Sequence, residues 1–323
     1  MVRFGILGAG NIAHRIAASM ARVDGAELVA ASCRSEEKAK AFLDGVEHAA
    51  NARAYGSHGE LVADEGVDAI YVAVPHEYHF EWVTRALRAG KAVICEKPAM
   101  LNADEMREVK RIAREENVLF MEAMKPRFQP IIPKIREALT KIGSIECIEA
   151  SLMNDMIASV EDTGTYHMTP GPGAGVLLDC GTYCADWIAA YTDSAAPIEM
   201  FDATARTVNG VDTYVYAELK IGRIGIVFEC AFDEAKPRLA TILGSEGAVV
   251  VEELHRPEKA VITIHGREPY EIEVPYVVDD FYGEIDHFVR LVEDGKRESD
   301  VMSLDDSIRV AEVLDAIRVA ALG

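Results

Sequence analysis

The sequence predicts an α/β protein: an N-terminal doubly wound parallel sheet, then a C-terminal α+β domain with an open, mainly antiparallel sheet. Three observations carry this. Through about the first 120 residues, short apolar runs alternate with helical stretches, the pattern of parallel strands buried on both faces. The first run ends in a glycine turn that opens a helix. From residue 197 to 275 the pattern becomes strand after strand with period-2 alternation, as in a sheet with one apolar face.

The elements follow in order. Val2–Leu7 reads as the first strand and Ile12–Val23 as its helix, with Ile12, Ile16, Met20 and Val23 at helical spacing. Leu28–Cys33 is a second strand, and Glu36–Leu43 a helix with Ser35 at the N-cap. Ala69–Val74 is a strand stopped by Pro75, and Phe80–Ala89 a helix closed by Gly90. Ala92–Cys95, Ala103–Glu116 and Val118–Glu122 continue as strand, helix and strand. Pro126, Pro130 and Pro133 then break the pattern. A helix (Lys134–Leu139), a strand near Ile145–Leu152, a Gly/Pro-rich loop from Asn154 to Gly175 and a helix over Leu177–Tyr191 come next. In Thr213–Ile221, residues Val215, Ala217, Leu219 and Ile221 share one face. Arg223–Phe232 puts Ile224, Ile226, Phe228, Cys230 and Phe232 on one face in the same way. Phe281–Leu291 and Leu304–Ala321 are closing helices.

Composition excludes several classes. Lys plus Arg number 33 against 54 Asp plus Glu, a net charge of −21. That disfavours nucleic acid or an anionic membrane as partner, since both need basic surface. No apolar run approaches the roughly 20 residues of a membrane span. The first strand starts at residue 2, which leaves no room for a signal peptide, so a cytoplasmic location is expected. The six cysteines lie scattered in apolar stretches and are expected reduced and mostly buried. Cys180 and Cys184 lack companion ligands, so no metal is expected.

Gly8-Ala9-Gly10-Asn11-Ile12-Ala13 is a G-x-G-x-x-A between a strand and a helix. Gly8 permits the tight turn, Gly10 lets backbone approach a pyrophosphate, and Ala13 allows close helix–strand packing. The helix N-terminus favours the phosphate charge. In this context the motif is a dinucleotide-binding (Rossmann) fingerprint rather than a ligand-free turn. The second strand ends at Ser32-Cys33-Arg34, where an NAD-specific fold carries Asp or Glu for the ribose 2′-hydroxyl. Arg34, Ser35 and Lys38 instead suit a 2′-phosphate, so NADP is expected in preference to NAD. Residues 1–122 are the expected dinucleotide-binding domain. Residues 123–323 are the expected substrate-binding and oligomerisation domain, with the last helix free to pack back on the first.

Glu96-Lys97-Pro98 closes the strand that starts at Ala92. Ligands of doubly wound sheets sit at the carboxyl ends of the strands, so Lys97 points into that crevice. A lysine at a strand end is by itself more often merely solvated. Asp179 and Tyr183 are four apart and share a helical face, although a lone Tyr183 reads as a packed aromatic. Taken in this order and spacing, Gly8–Ala13, Glu96-Lys97-Pro98 and Asp179-x-x-x-Tyr183 resemble the Gfo/Idh/MocA oxidoreductase family over nearly the whole chain. Cys95–Asn102, Met121-Glu122-Ala123 and Arg127-Phe128 resemble in particular the branch of dimeric dihydrodiol dehydrogenases and NADP-dependent D-xylose dehydrogenases. That branch carries tyrosine where inositol dehydrogenases carry histidine. This sequence departs from the usual pattern at Gly173-Ala174-Gly175, at His76 in place of an asparagine, and at Tyr166-His167-Met168, which lacks a basic residue.

The resemblance implies hydride transfer between nicotinamide C4 and a secondary alcohol or hemiacetal carbon of a small neutral sugar, cyclitol or vicinal diol. It makes Lys97, Tyr183 and Asp179 the catalytic set, with Tyr183 as the base and the Lys97 ammonium favouring its phenolate. Tyr166 and His167 complete the substrate wall. Val74, Pro75, His76, His79, Glu96 and Arg127 join the cofactor side. Two alternatives stand beside this: an enzyme that retains its cofactor for redox-assisted chemistry such as glycoside cleavage, and a non-catalytic NAD(P)-responsive regulator. The second has no need of Lys97, Asp179 and Tyr183. On the outer sheet face, Tyr214, Tyr216, Val227 and Ala231 interleave with Glu218, Lys220, Arg223 and Glu229, which fits a homodimer or homotetramer contact.

Overall fold

The computed structural model describes residues 1–154, 160 and 165–323. Of the Gly/Pro-rich loop from Asn154 to Gly175, positions 155–159 and 161–164 lie outside the described residues. The chain forms two compact units. One comprises Met1–Met100, Asp104–Lys125 and Val277–Ser307; the other comprises Leu101–Ala103, Pro126–Tyr276 and Ile308–Gly323.

The first elements are β1 (Val2–Leu7), α1 (Asn11–Met20), β2 (Ala26–Ser32), α2 (Glu36–Asp44), β3 (Arg53–Tyr55) and α3 (His58–Val62). They continue as β4 (Ala69–Val72), α4 (His79–Arg88), β5 (Ala92–Glu96), α5 (Ala103–Glu116) and β6 (Phe120–Ala123). The strands form a parallel sheet in the order β3-β2-β1-β4-β5-β6. Phe4, Ile6, Leu7 and all of β4 are fully buried, which is why these runs read as continuously apolar. Strand order reverses between β1 and β4, and doubly wound sheets bind ligands at such a point. Gly8 turns the chain there at φ +102°, and a Cβ at this position would stand 2.4 Å from the Ala73 carbonyl oxygen. Only glycine tolerates both conditions.

The sequence reading missed β3 and α3. Both are short and polar, and tertiary bonds hold them: Arg53 pairs with Asp64 at 2.6 Å, and the Tyr55 hydroxyl donates to the same carboxylate at 3.0 Å. Ser57 caps α3 by accepting from the Gly59 N–H. Trp82 on α4 is half-buried, its ring 5.1 Å from His58 and 4.8 Å from the Arg85 guanidinium.

The later elements are α6 (Ile132–Leu139), β7 (Ile145–Met153), α7 (Val176–Asp179), α8 (Gly181–Ala190), β8 (Ile198–Val208), β9 (Val211–Ile221) and β10 (Ile224–Ala231). After them come β11 (Leu239–Gly244), β12 (Gly247–Glu252), β13 (Lys259–Ile264), β14 (Tyr270–Glu273), α9 (Tyr282–Glu293) and α10 (Leu304–Leu322). β7 through β14 make one sheet in the order β14-β13-β12-β11-β7-β10-β9-β8, antiparallel except where β7 meets β10. Helix α8 packs on β7 and β10 and is buried from Gly181 to Ala189. Val215, Ala217, Leu219, Ile226, Phe228 and Cys230 supply the apolar strand face. The single helix expected over Leu177–Tyr191 is two, broken at Cys180. The break falls at a close approach: a Cβ on Gly181 would lie 2.8 Å from the Phe228 ring. Trp187 is 3 % exposed, and its indole N–H donates to the Leu254 carbonyl at 2.9 Å. Ala231, expected on the outer face, is fully buried, with its carbonyl taken by the Asn154 N–H. All six cysteines are free thiols, and only Cys147 is not buried. Among the described residues no helix is long and apolar enough to cross a membrane.

The entry to α7 rests on two residues. Gly175 has φ +97°, and a Cβ there would fall 1.8 Å from Asp212 Oδ1. The same buried carboxylate caps the helix, accepting from the Leu177 N–H at 2.7 Å. Burial pushes the Asp212 carboxyl up, against the pull of those backbone bonds. Gly175→Ala is therefore expected to strain the backbone and displace the cap, at a cost of about 1–3 kcal/mol for the left-handed backbone alone. Urea unfolding of the variant beside the parent measures this, and equal midpoints would refute it.

Candidate cofactor and substrate sites

Helix α1 begins at Gly10, which has no side chain to cap the first turn, and that turn carries no acidic residue. A Cβ on Gly10 would meet nothing within 4 Å. Asn11 and Ile12 are exposed beside it, and Ala13 is fully buried against the sheet. Uncapped first-turn N–H groups, the positive end of the helix dipole and room for close approach together suit a pyrophosphate. At the end of β2, Arg34 and Lys38 are exposed. Ser35 is half-buried and caps α2, its oxygen 3.4 Å from the Lys38 nitrogen.

The segments after β4 and β5 carry the next group. Val74 is half-buried, Pro75 exposed, and His76 buried with its ring 5.5 Å from His79. His79 is fully buried, with Nδ1 3.0 Å from the Pro98 carbonyl oxygen and Nε2 2.8 Å from that of Val74. Carbonyls only accept, so a neutral ring donates to one of them. Burial, aided by the charge of Lys97, pushes the His79 pKa down against the two carbonyl bonds. Both ring nitrogens face backbone carbonyls, one from the exit of β4 and one from the segment after β5, and the ring donates to one of them. The Ala99 N–H, donating to Glu122 at 2.8 Å, fastens that segment. Between these ties stands Lys97, half-buried. The Glu96 side chain turns inward and accepts from the Tyr71 hydroxyl at 2.8 Å.

Arg127 lies in the second unit, paired through Nε with Asp186 on α8 at 2.6 Å, both side chains under one-tenth exposed. Removing one partner of such a buried pair typically costs about 3–5 kcal/mol, so this bond anchors α8. Asp179 ends α7, and Tyr183 stands in the first turn of α8, 9 % exposed. His167 Nδ1 lies 3.7 Å from Asp179 Oδ2, and the Tyr166 and His167 rings are 3.8 Å apart. The Gly175 N–H bonds the His167 carbonyl and so ties this segment to the helix entry. Asp179, His167, Tyr166 and Tyr183 therefore all belong to the second unit, with His167 beside both Asp179 and Tyr166. The sequence reading missed His255, whose ring lies 5.8 Å from Tyr183 and which follows the carbonyl that Trp187 holds. Its signal is long-range only, because Glu253-Leu254-His255-Arg256 carries no motif.

Comparison with known proteins adds four similarities. The model of the Gfo/Idh/MocA family, described as an oxidoreductase family with an NAD-binding Rossmann fold, matches residues 2–124. Trans-1,2-dihydrobenzene-1,2-diol dehydrogenase of Mus musculus is 30 % identical over 99 % of this chain and 96 % of its own length. An NADP(+) scyllo-inositol 2-dehydrogenase of Bacillus subtilis is 29 % identical over 98 % and 96 %. Among solved structures, a 3-ketoreductase from Actinomadura kijaniata in complex with NADP and TDP-benzene superposes with a TM-score of 0.87. It covers 99 % of this chain and 98 % of its own at 24 % identity, a likeness of fold.

Proposed function

The chain belongs to the Gfo/Idh/MocA family of NAD(P)-dependent oxidoreductases, and on that premise we propose that it moves a hydride between the nicotinamide and a carbinol carbon of a small neutral sugar, cyclitol or vicinal diol. The observation that carries this reading is the α7–α8 corner, where Asp179 and Tyr183 stand four residues apart with His167 3.7 Å from Asp179. Such a corner offers a proton carrier and acceptors for neighbouring hydroxyls. The segment 154–175 contains no lysine or arginine to hold a phosphate or carboxylate. An inositol and a trans-diol, the compounds named for two relatives, are likewise uncharged.

When bound, the nicotinamide accepts or supplies the hydride. The rest falls to side chains. Tyr183 takes the hydroxyl proton, and the Lys97 ammonium favours the phenolate that allows it. Asp179 and His167 orient adjacent hydroxyls. The division expected at residue 122 is adjusted for Val277–Ser307, which belongs to the first unit: that unit holds the nucleotide and the second the substrate. Arg34 and Lys38 meet the 2′-phosphate, which favours NADP. The outer sheet face, where Tyr214 donates to Glu229 and lies under Arg206, joins copies into a homodimer or homotetramer.

Tyr183→Phe should lower kcat by about 10²–10⁴-fold with NADPH binding retained, and Lys97→Met should do likewise, once a screen of aldoses, inositols and vicinal diols has supplied a substrate. Near-full kcat in Tyr183→Phe would reject the assignment. Arg34→Ala should weaken NADP far more than NAD in a fluorescence titration; tighter NAD binding by the parent would overturn the preference. Light scattering should show at least a dimer, weakened at low salt because each copy carries −21. A monomer at micromolar concentration, or a dimer indifferent to Tyr216→Glu, would remove the interface from this face.

A further inference from the structure

Next to Lys97 in the chain, Glu96 belongs to a buried acid pair of the first unit that the reaction does not use. Tyr71 in β4, Glu96 at the end of β5 and Glu284 in the first turn of α9 are 0 %, 9 % and 1 % exposed. The Tyr71 hydroxyl oxygen lies 2.8 Å from Glu96 Oε1 and 3.4 Å from Glu284 Oε1. A hydroxyl has one proton to give. The shorter contact makes Glu96 its acceptor. If Glu284 were also a carboxylate, two acceptors would face each other across one donor. Its second oxygen, Oε2, is buried with no hydrogen-bond partner among the described residues. An ionised oxygen left so is costly, and a neutral acid much less so. Burial pushes the Glu284 carboxyl well above its ordinary range, and the neighbouring Glu96 charge pushes the same way. Burial raises the Glu96 carboxyl as well, but there the Lys97 charge and the bond from Tyr71 oppose it and draw Glu96 back toward ionisation. The remaining charges around Glu284 are Lys125, after β6, and Asp280, before α9, which pair with each other.

We propose that Glu284 is a permanently protonated acid that donates to the Tyr71 oxygen, and that this Glu284–Tyr71–Glu96 chain holds Glu96 as a carboxylate beside Lys97. Tyr71 and Glu284 are then positioning residues. They fix the charge and the place of Glu96, and so the electrostatic setting of the lysine. The consequence for Lys97 rests on the dehydrogenase reading; the charge assignment does not.

The sign of the pH dependence follows. In the unfolded chain Glu284 ionises near pH 4.3, while in the folded chain it keeps its proton well beyond that. Above that pH the unfolded state therefore binds one proton fewer, and folding loses up to about tenfold in its equilibrium constant per pH unit. Glu284→Gln replaces a neutral acid by a neutral amide that still donates, and it removes this loss. Urea unfolding of parent and variant at pH 5.5 and 7.5 should show the variant gaining on the parent by roughly 10–100-fold as pH rises. A constant or shrinking difference would overturn the assignment. Infrared spectra in D2O at neutral pH provide a second reading. The protonated-carboxyl band of the parent should vanish in Glu284→Gln and persist in Glu96→Gln, and the reverse would also overturn it. Neither measurement needs a substrate, so failure here is distinct from failure of the reaction. For the link to Lys97, Tyr71→Phe should shift the pH profile of kcat with the substrate KM little changed. An unmoved profile would leave Tyr71 a packing residue and sink the positioning role.

Discussion

The carbonyl oxygen of Ala73 sits where a side chain on residue 8 would begin. That single close approach fixes the first unit. It exists because β1 and β4 are parallel neighbours with Leu7 level with Val72, so Gly8 leaves β1 directly beside Ala73 as the chain leaves β4. Glycine lets the turn pass, the turn aims α1, and α1 presents its uncapped N-terminus over the sheet. The exits of β4 and β5 are tied together as well. His79 and Glu122, both buried, hold those exits by bonds to backbone rather than to each other.

The second unit solves a related problem with a carboxylate. Helix α7 starts inside the protein, where water cannot satisfy its first N–H groups. Asp212, brought from the neighbouring strand β9, supplies the acceptor, and Gly175 leaves it space. The buried Arg127–Asp186 pair then secures α8 one turn beyond Tyr183. Both arrangements bury charge only where partners are already in place, so the helix corner bearing Asp179 and Tyr183 is held stiffly.

Much of this was legible in the sequence, and the parts that were not share a cause. Runs buried on both faces, such as Phe4–Leu7 and Ala69–Val72, announce themselves by composition. The alternation of Val215, Ala217, Leu219 and Ile221 marks the covered face of the second sheet equally well. Gly8 and Gly10 sit in a motif whose spacing has a mechanical reason. What escaped depends on partners far along the chain. β3 is three residues long and held by Asp64. The helix break at Cys180 sits next to Gly181, whose room is set by the distant Phe228 ring. His255 reaches Tyr183 through a carbonyl held by Trp187, and Asp212 caps a helix 35 residues upstream. None of these leaves a local signature.

The two tryptophans fall one to each unit, Trp82 in the first and Trp187 in the second, in contrasting surroundings. Trp82 is half-open, with a histidine and an arginine at its ring, so its emission responds to charge and solvent. Trp187 is sealed, its indole donating to a carbonyl and its ring 5.8 Å from Tyr191. Replacing either by phenylalanine leaves a single built-in fluorophore, so the melting of each half of the chain becomes separately visible without any label.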